Sequence, residues 1–348
     1  MDALRASWLM MRLSSLLSTC GCGILLMAIK RLTKKYIVAF WSGVIAVLVF
    51  VPFIGVLTGL LSFGVWPFET ANYWIPVYLL LSMAGGCISL LRRRYLFAGI
   101  GALCAFVYLI LMALHWLPVL TRPVSEHKPN LRVLTANVYA HGNSPTPLLK
   151  LIQETKPDII VLQEVDEKWL DFLAPLEDVY ENSSFSPRYQ GSGLDLAQFW
   201  NGKADVQQEL CREGIPATLT KVTVHSRQII VMNVHTASPF SPQRARNYQE
   251  QMRRLSEYIE DYEGILIVAG DFNSGLWSWH YKKLLKASGL RNVRDGFGIL
   301  GTWPSFMGPL QIALDHILIS PEIEVIRCWT VSGTGSDHSA LIADIYLE

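Results

Sequence analysis

Residues Ile265-Leu266-Ile267-Val268-Ala269-Gly270-Asp271-Phe272-Asn273 decide how this chain is to be read. Five apolar residues, three of them β-branched, run without a polar interruption and stop at Gly-Asp. So short an apolar run, closed by a turn residue, reads as a strand buried on both faces. It delivers two polar side chains, Asp271 and Asn273, at its tip. Helical patterns lie on either side, over 243–262 and 279–287, so the strand belongs to a layered α/β or α+β domain.

The same pattern recurs outward along the chain. Strands are expected over 131–136, 158–162, 218–224, 229–234, 317–319, 323–330 and 340–346, and further helices over 147–154 and 167–176. Most of the early strands end on, or begin from, a polar residue: Asn137, Glu164, His235, Asp271 with Asn273, Asp315, and Asp337 with His338. One such tip is ordinary, because turns favour Asp, Asn and Gly. Six tips supplying carboxylates, amides and imidazoles are a different matter, since strand ends in α/β domains converge in space. Oxygen donors such as Glu164, Asp271, Asn273 and Asp315 suit Mg²⁺, with Mn²⁺ or Ca²⁺ as alternatives, rather than zinc. A carboxylate-held Mg²⁺ commonly screens phosphate charge and activates water. His235 and His338 suit binding a phosphate oxygen or moving a proton. Residue types alone therefore point to hydrolysis of a phosphate ester. His316, beside Asp315 on a strand, should face the other way and be structural. His225 and His280 have no partner in sequence and read as surface residues.

Seven ordered pieces carry a resemblance: Thr135-Ala-Asn137-Val, Leu162-Gln-Glu164-Val, Asn233-Val-His235-Thr, Gly270-Asp-Phe-Asn273, Thr302-Trp-Pro, Leu314-Asp-His-Ile-Leu-Ile-Ser320 and Gly335-Ser-Asp-His338. Together they resemble the endonuclease/exonuclease/phosphatase superfamily, and 235–246 with Thr-Trp-Pro looks like a membrane-anchored bacterial branch of it. The resemblance implies a four-layer αββα sandwich and a divalent metal, usually Mg²⁺. It implies that Glu164, with Asn137 beside it, is the principal metal ligand, and that Asp271 orients or deprotonates the attacking water. Asn273 corresponds to a donor to the developing phosphoryl charge and His235 to a phosphate-binding histidine. Asp315 corresponds to a second metal or leaving-group residue. Asp337 and His338 correspond to the terminal pair, with His338 on the phosphate or acting as general base. The implied reaction is in-line attack by water on phosphorus.

The family usually has a Gly-x-Ala-x-x-Ser-Arg-like strand in its middle, and 191–214 lacks the Ser-Arg pair. Residues 193–199 are the candidate for that strand in altered form. An acidic partner for His235 is therefore not assigned, with Asp195 and Asp205 the weak candidates. Arg244 and Arg246 either reach a substrate phosphate or form a solvated helix face. Trp277, Trp279 and Trp303 suit stacking on a ring or contact with the bilayer, with core packing expected for at least two of them.

The remainder of the chain is another material. Of 348 residues, 17% are charged, against about 25% in soluble domains, and the mean hydropathy is +0.28. Residues 1–120 hold nine Lys/Arg against two Asp/Glu, and residues 121–348 hold 21 against 27. Uncharged stretches of 33, 22 and 27 residues separate Lys35, Glu69, Arg92 and, beyond Arg94, Arg122. Each exceeds the roughly 20 residues that cross a bilayer, so spans are expected near 37–60, 74–91 and 96–117. Basic clusters at Lys30–Lys35 and Arg92–Arg94 belong on the cytoplasmic side, which sends the C-terminal half outside.

The expected organisation is a basic N-terminal segment (1–36), three transmembrane helices (37–120), a linker (121–130) and a catalytic domain (131–348). Residues 13–29 read as a fourth span, an interfacial helix, or sequence ahead of a start at Met27. Cys211 and Cys328 either pair or remain two thiols. The acidic balance of the outer half weighs against nucleic acid, whose binding needs a basic surface. The expected substrate is a lipid-linked or small extracytoplasmic phosphodiester, with DNA or RNA cleavage second and a non-catalytic scaffold third.

Overall fold

The computed structural model describes residues 23–121, 125–140, 144–186, 196–210 and 214–348. The alternatives for residues before Gly23, and the pairing of Cys211, lie outside the described residues. Cys328 is buried.

The uncharged stretches form helices α1 (Gly23–Leu60), α3 (Ile75–Leu91) and α4 (Tyr95–Thr121), with a short α2 (Phe68–Ala71) between the first two long ones. Among the described residues, three segments are long and apolar enough to cross a membrane: Lys30–Leu60, Phe68–Leu91 and Tyr95–Ala113. The first takes in Lys30, Arg31, Lys34 and Lys35, so these basic residues continue the apolar helix. Large apolar side chains such as Leu96, Leu103 and Phe106 point outward, 74%, 62% and 60% exposed. That is costly in water and natural in lipid.

The chain divides into two compact units: Met1–Ile54 with Tyr78–Val107, and Gly55–Val77 with Tyr108–Glu348. In the first, glycines let helix backbones approach closely. A Cβ on Gly101 would come within 2.8 Å of the Gly86 backbone, and one on Gly85 within 2.8 Å of the Leu48 carbonyl. Arg94 donates to Ser42 Oγ at 2.6 Å, and Arg92 covers the Trp41 ring at 4.6 Å. The basic turn is thus bound back to α1.

Among the described residues, the second unit holds twelve strands: β1 (Leu131–Asn137), β2 (Ile159–Gln163), β3 (Asn182–Ser186), β4 (Leu196–Trp200), β5 (Lys203–Glu209), β6 (Ala217–Val224), β7 (Arg227–His235), β8 (Ile265–Asp271), β9 (Arg291–Asn292), β10 (Asp315–Ile319), β11 (Glu324–Val331) and β12 (Ala340–Tyr346). One sheet has the order β11-β12-β1-β2-β4-β3, the other β5-β6-β7-β8-β10-β9. Both are mixed. β1 and β2 pair in parallel because α5 (Thr146–Thr155) makes the crossover, and β7 and β8 do so because α7 (Pro242–Glu260) does. Helices α6 (Glu167–Leu173) and α8 (Trp279–Ser288) complete the layers.

Side-chain alternation places the core. Val133, Val161 and Leu341 face Val231, Ile267 and Ile317 of the other sheet. Their neighbours Leu134, Ile160 and Ile342 pack against Leu148, Ile152 and Trp169 of α5 and α6. Strands covered on both faces have no polar side to show, so the sequence reads as unbroken apolar runs. Ser241 and Ser278 cap α7 and α8, accepting from Arg244 N and Tyr281 N.

The structure adds strands that the pattern did not reveal. β3 (Asn-Ser-Ser-Phe-Ser) and β5 are edge strands, where one flank has no ladder partner and polar residues blunt further pairing. The candidate strand at 193–199 is β4, starting at Leu196, fully buried between β2 and β3.

Ile317 is fully buried at the centre of the inter-sheet core. Ile317→Ala should cost about 2–5 kcal/mol, whereas Val179→Ala at a position 68% exposed should change stability by less than about 0.5 kcal/mol. Urea unfolding of the detergent-solubilised chain, followed by tryptophan fluorescence, compares the two.

Candidate active site

Strand register brings the polar tips together. On β8, Asp271 lies opposite His235 of parallel β7 and opposite Asp315 of antiparallel β10. Gly270 makes that approach possible. It has φ +145°, and a Cβ there would lie 1.9 Å from the Val234 carbonyl oxygen, so no other residue fits.

Asn137 ends β1 and is buried. Its Nδ2 donates to Glu164 Oε1 at 2.9 Å and to Asp271 Oδ2 at 3.0 Å, and its Oδ1 accepts from Tyr139 N. One amide thereby bridges two carboxylates from different sheets. Glu164 follows β2 in the left-handed region, φ +62°, and its Oε2 accepts from Ala140 N at 3.1 Å. His235 Nε2 stands 3.9 Å from Glu164 Oε1 and 3.8 Å from Asp271 Oδ2. These are the acids facing His235. Asp195 lies outside the described residues, as does the side chain of Asp205.

On the other side of Asp271, His338 Nδ1 meets Asp315 Oδ2 at 2.8 Å, and its Nε2 is 3.9 Å from Asp271 Oδ2. The carboxylate partner of His338 is thus Asp315, not its sequence neighbour Asp337. Asp337 Oδ2 accepts from Trp303 Nε1 at 3.1 Å, and its charge adds to the hold on the His338 proton. Asn273 has φ +46°. Its N–H donates to Asp271 Oδ1 at 2.8 Å and its Nδ2 to the Thr236 carbonyl at 2.9 Å. Ser336 Oγ donates to the Asn137 carbonyl, tying the loop before His338 to the tip of β1.

These groups set one another's charge. Burial and the neighbouring Asp315 push the Asp271 carboxyl up, against the pull of His338 and His235. Burial alone would lower the His338 imidazole, but Asp315 and Asp271 outweigh it and hold it at about 10. Burial likewise opposes ionisation of Asp315, and its bond to His338 keeps it below the usual carboxylate range. Glu164 is also lowered: burial is outweighed by His235, the Asn137 amide and Ala140 N–H. At neutral pH Asp315 is therefore a carboxylate and His338 an imidazolium, with Asp271 the most readily protonated acid among them.

The donor set fits a hard divalent cation. Asp271, Asp315 and His338 bring candidate ligand atoms within 4.8 Å of one another, the imidazole able to ligate only in its neutral form, and Glu164 adds a partly exposed carboxylate bonded to the same Asn137 amide. Asp315 Oδ1, His235 Nδ1 and Asp337 Oδ1 are buried without hydrogen-bond partners, which polar groups rarely tolerate unless a ligand engages them.

Beneath the tips runs a polar layer that was not singled out in the sequence. Gln163 Nε2 donates to Asn233 Oδ1 at 2.8 Å, and Asn233 Nδ2 donates to the carbonyls of Leu162 and Ala197. This links the sheets directly below Glu164 and His235. The signal was present, since Gln163 and Asn233 lie inside two of the quoted pieces. His316 does face away from the site. Its Nε2–H donates to the Ser274 carbonyl, and Nδ1 accepts from Asn292 and Arg294. Burial with Arg294 nearby pushes it down to about 3, so it is neutral.

Other expectations resolve differently. Arg244 and Arg246 are exposed on α7, Arg246 bonding to Gln243 of the same helix. Trp277 is buried, Trp303 packs with Tyr73, Ile312 and Leu314, and Trp279 is 38% exposed. The surface reading of His280 is wrong: it is partly buried, with Nε2 3.4 Å from Glu69 Oε2. No local pattern marks a pairing across about two hundred residues. His225 is exposed, with Nε2 2.9 Å from the Asn130 carbonyl.

The sequence model of the Endonuclease/Exonuclease/phosphatase family matches residues 134–338. Comparison with curated protein sequences gives no significant match. Among solved structures, the human Nocturnin catalytic domain with bound sulfate anion is 20% identical with a TM-score of 0.51, the match spanning 66% of this chain and 99% of that one. D. rerio TDP2 complexed with single strand DNA product is 16% identical with a TM-score of 0.51, spanning 62% of this chain and 98% of that one. At such identities the likeness concerns the fold, two mixed sheets with flanking helices. Because the family match covers more than half of the chain and contains every strand tip described above, this chain belongs to the Endonuclease/Exonuclease/phosphatase family, whose members are metal-dependent hydrolases of phosphoester bonds.

Proposed function

We propose that the protein is a membrane-anchored, Mg²⁺-dependent phosphodiesterase whose catalytic domain, 131–348, lies on the extracytoplasmic face and hydrolyses a phosphodiester carried by a lipid or a small molecule at that surface. The observation that carries this reading is Asp271. It is a buried carboxylate held between the Glu164–Asn137–His235 group and the Asp315–His338 pair.

Glu164, beside the Asn137 amide, is the carboxylate best placed to hold the cation, with Asp315 Oδ1 as a further donor. A divalent cation held there would supply charge neutralisation at the phosphate and polarisation of the P–O bonds. Asp271 accepts the proton of the attacking water, a role suited to a carboxylate whose proton affinity burial has raised. His338, kept protonated and oriented by Asp315, presents Nε2–H to a phosphoryl oxygen. His235 supplies a second imidazole on the opposite side of Asp271. Water attacks phosphorus in line as its proton passes to Asp271, the P–O bond to the leaving group breaks opposite, and the departing alkoxide takes a proton from solvent, with preorganised donors stabilising the developing charge.

The substrate class rests on charge and setting. Residues 121–348 carry 21 Lys/Arg against 27 Asp/Glu, a poor surface for polyanionic strands, while the apolar helices favour a substrate at a bilayer. Phe240, 61% exposed, and Trp303 face each other at 6.2 Å beside Asp337, an apolar flank suited to the non-phosphate part of a lipid headgroup.

The full-length protein in nanodiscs should hydrolyse bis-p-nitrophenyl phosphate and a phospholipid headgroup phosphodiester with Mg²⁺, and lose both activities in EDTA. Turnover of plasmid DNA alone would replace the lipid reading with a nuclease, and turnover of nothing would favour a scaffold. Glu164→Ala and Asp271→Asn should each lower kcat by about 10²–10⁴. Asn137→Ala should weaken Mg²⁺ binding by about 10–100-fold in calorimetry, and an unchanged affinity would remove it from the metal's surroundings. A periplasmically active reporter fused after Glu348 should give signal, and a cytoplasmic signal would reverse the orientation.

A further inference from the structure

The segment joining the first two long apolar helices is bonded into the catalytic layers at four places. Gly64 O accepts from Gln249 Nε2 at 2.7 Å. Glu69, only 3% exposed, accepts from the Ser278 hydroxyl and from His280 N–H, and faces His280 Nε2. A buried carboxylate needs such partners, and here they sit at the N-terminus of α8, where the helix dipole favours negative charge. Trp74 meets Trp303 edge-on at 6.1 Å. Tyr73, 3% exposed, donates from its hydroxyl to the Asn273 carbonyl at 3.1 Å.

That last bond reaches the site. Asn273 holds a left-handed backbone conformation, one that asparagine enters more readily than other L-residues and that its neighbours then fix. Three bonds impose it: N–H to Asp271 Oδ1, Nδ2 to Thr236 O, and Tyr73 OH to Asn273 O. The first fixes Asp271 as well. Gly275 leaves room for the tyrosine, since a Cβ there would lie 2.8 Å from its ring. Trp74 similarly supports Trp303, whose indole N–H holds Asp337.

We propose that this juxtamembrane segment is a working part of the active site, with Tyr73 a positioning residue that holds Asn273, and through it Asp271, in the reactive arrangement. Glu69 anchors the segment. The bilayer-side chain and the hydrolytic centre then form one mechanical element. The kinetic half of this proposal rests on the phosphodiesterase reading, and the structural half does not.

Hydrogen–deuterium exchange and steady-state kinetics on the full-length protein in nanodiscs test both halves. Tyr73→Phe removes only the hydroxyl. It should raise exchange of the amides of 272–275 about fivefold, as loss of one ordinary hydrogen bond would, and leave 131–137 unchanged. On bis-p-nitrophenyl phosphate, kcat should fall by a similar factor with KM unchanged, where a merely unstable protein would lose active fraction on warming. Gly275→Ala, which displaces the ring from the other side, should do the same. Tyr36→Phe, at a residue 68% exposed, should do neither. Wild-type exchange at 272–275 in both site variants would overturn the proposal, as would altered exchange with wild-type kcat. If the wild-type protein turns over no phosphodiester, the proposed activity fails and the exchange result alone decides the coupling.

Discussion

A carboxylate removed from water must be compensated, and Asp271 is the position around which this fold arranges that compensation. It is 1% exposed. The Asn137 amide bonds it from one sheet, Asn273 N–H closes on it from the loop after its strand, and two imidazoles flank it. A second buried acid, Asp315, lies directly across the antiparallel ladder. Two carboxylates this close persist only because His338 takes a share of the charge. Removing one member would leave the others without compensation for their charge.

Much of the surrounding geometry serves that compensation. Strands β7, β8 and β10 must stop in step, and the pairing His235–Asp271–Asp315 shows that they do. The backbone of β8 must pass within contact of Val234, hence glycine at 270. Glu164 and Asn273 must turn sharply as their strands end, and both occupy the left-handed region. Strain at such positions is sustained by the rigid sheets beneath, where the inter-sheet core and the Gln163–Asn233 bond hold the two layers in register. Neutral His316, fully bonded on the reverse face of β10, secures the same strand from behind.

Alternation and apolar runs disclosed the strands that bury a face, the crossover helices and every strand-tip residue of the candidate site, because those features repeat locally. The edge strands β3 and β5 escaped, since an edge has no need of continuous hydrophobicity. The partner of His338 escaped for another reason: Asp337 is its neighbour in sequence, but successive residues leave a chain in different directions, and the acid within reach is Asp315 across the sheet. His280 and Glu69 give the same lesson at greater range.

Composition and periodicity by themselves determined that an apolar helical region precedes a layered α/β domain and that acids, amides and imidazoles end its strands, because helix and strand periods are local properties of the chain. Tertiary structure alone decided which of those groups meet, how burial moves their protons, and that Tyr73 and Glu69 from between the apolar helices belong to the same packed unit as Asn273 and α8. The physical reason is that hydrogen-bond partners and desolvation depend on distance in space, and only the folded chain sets those distances.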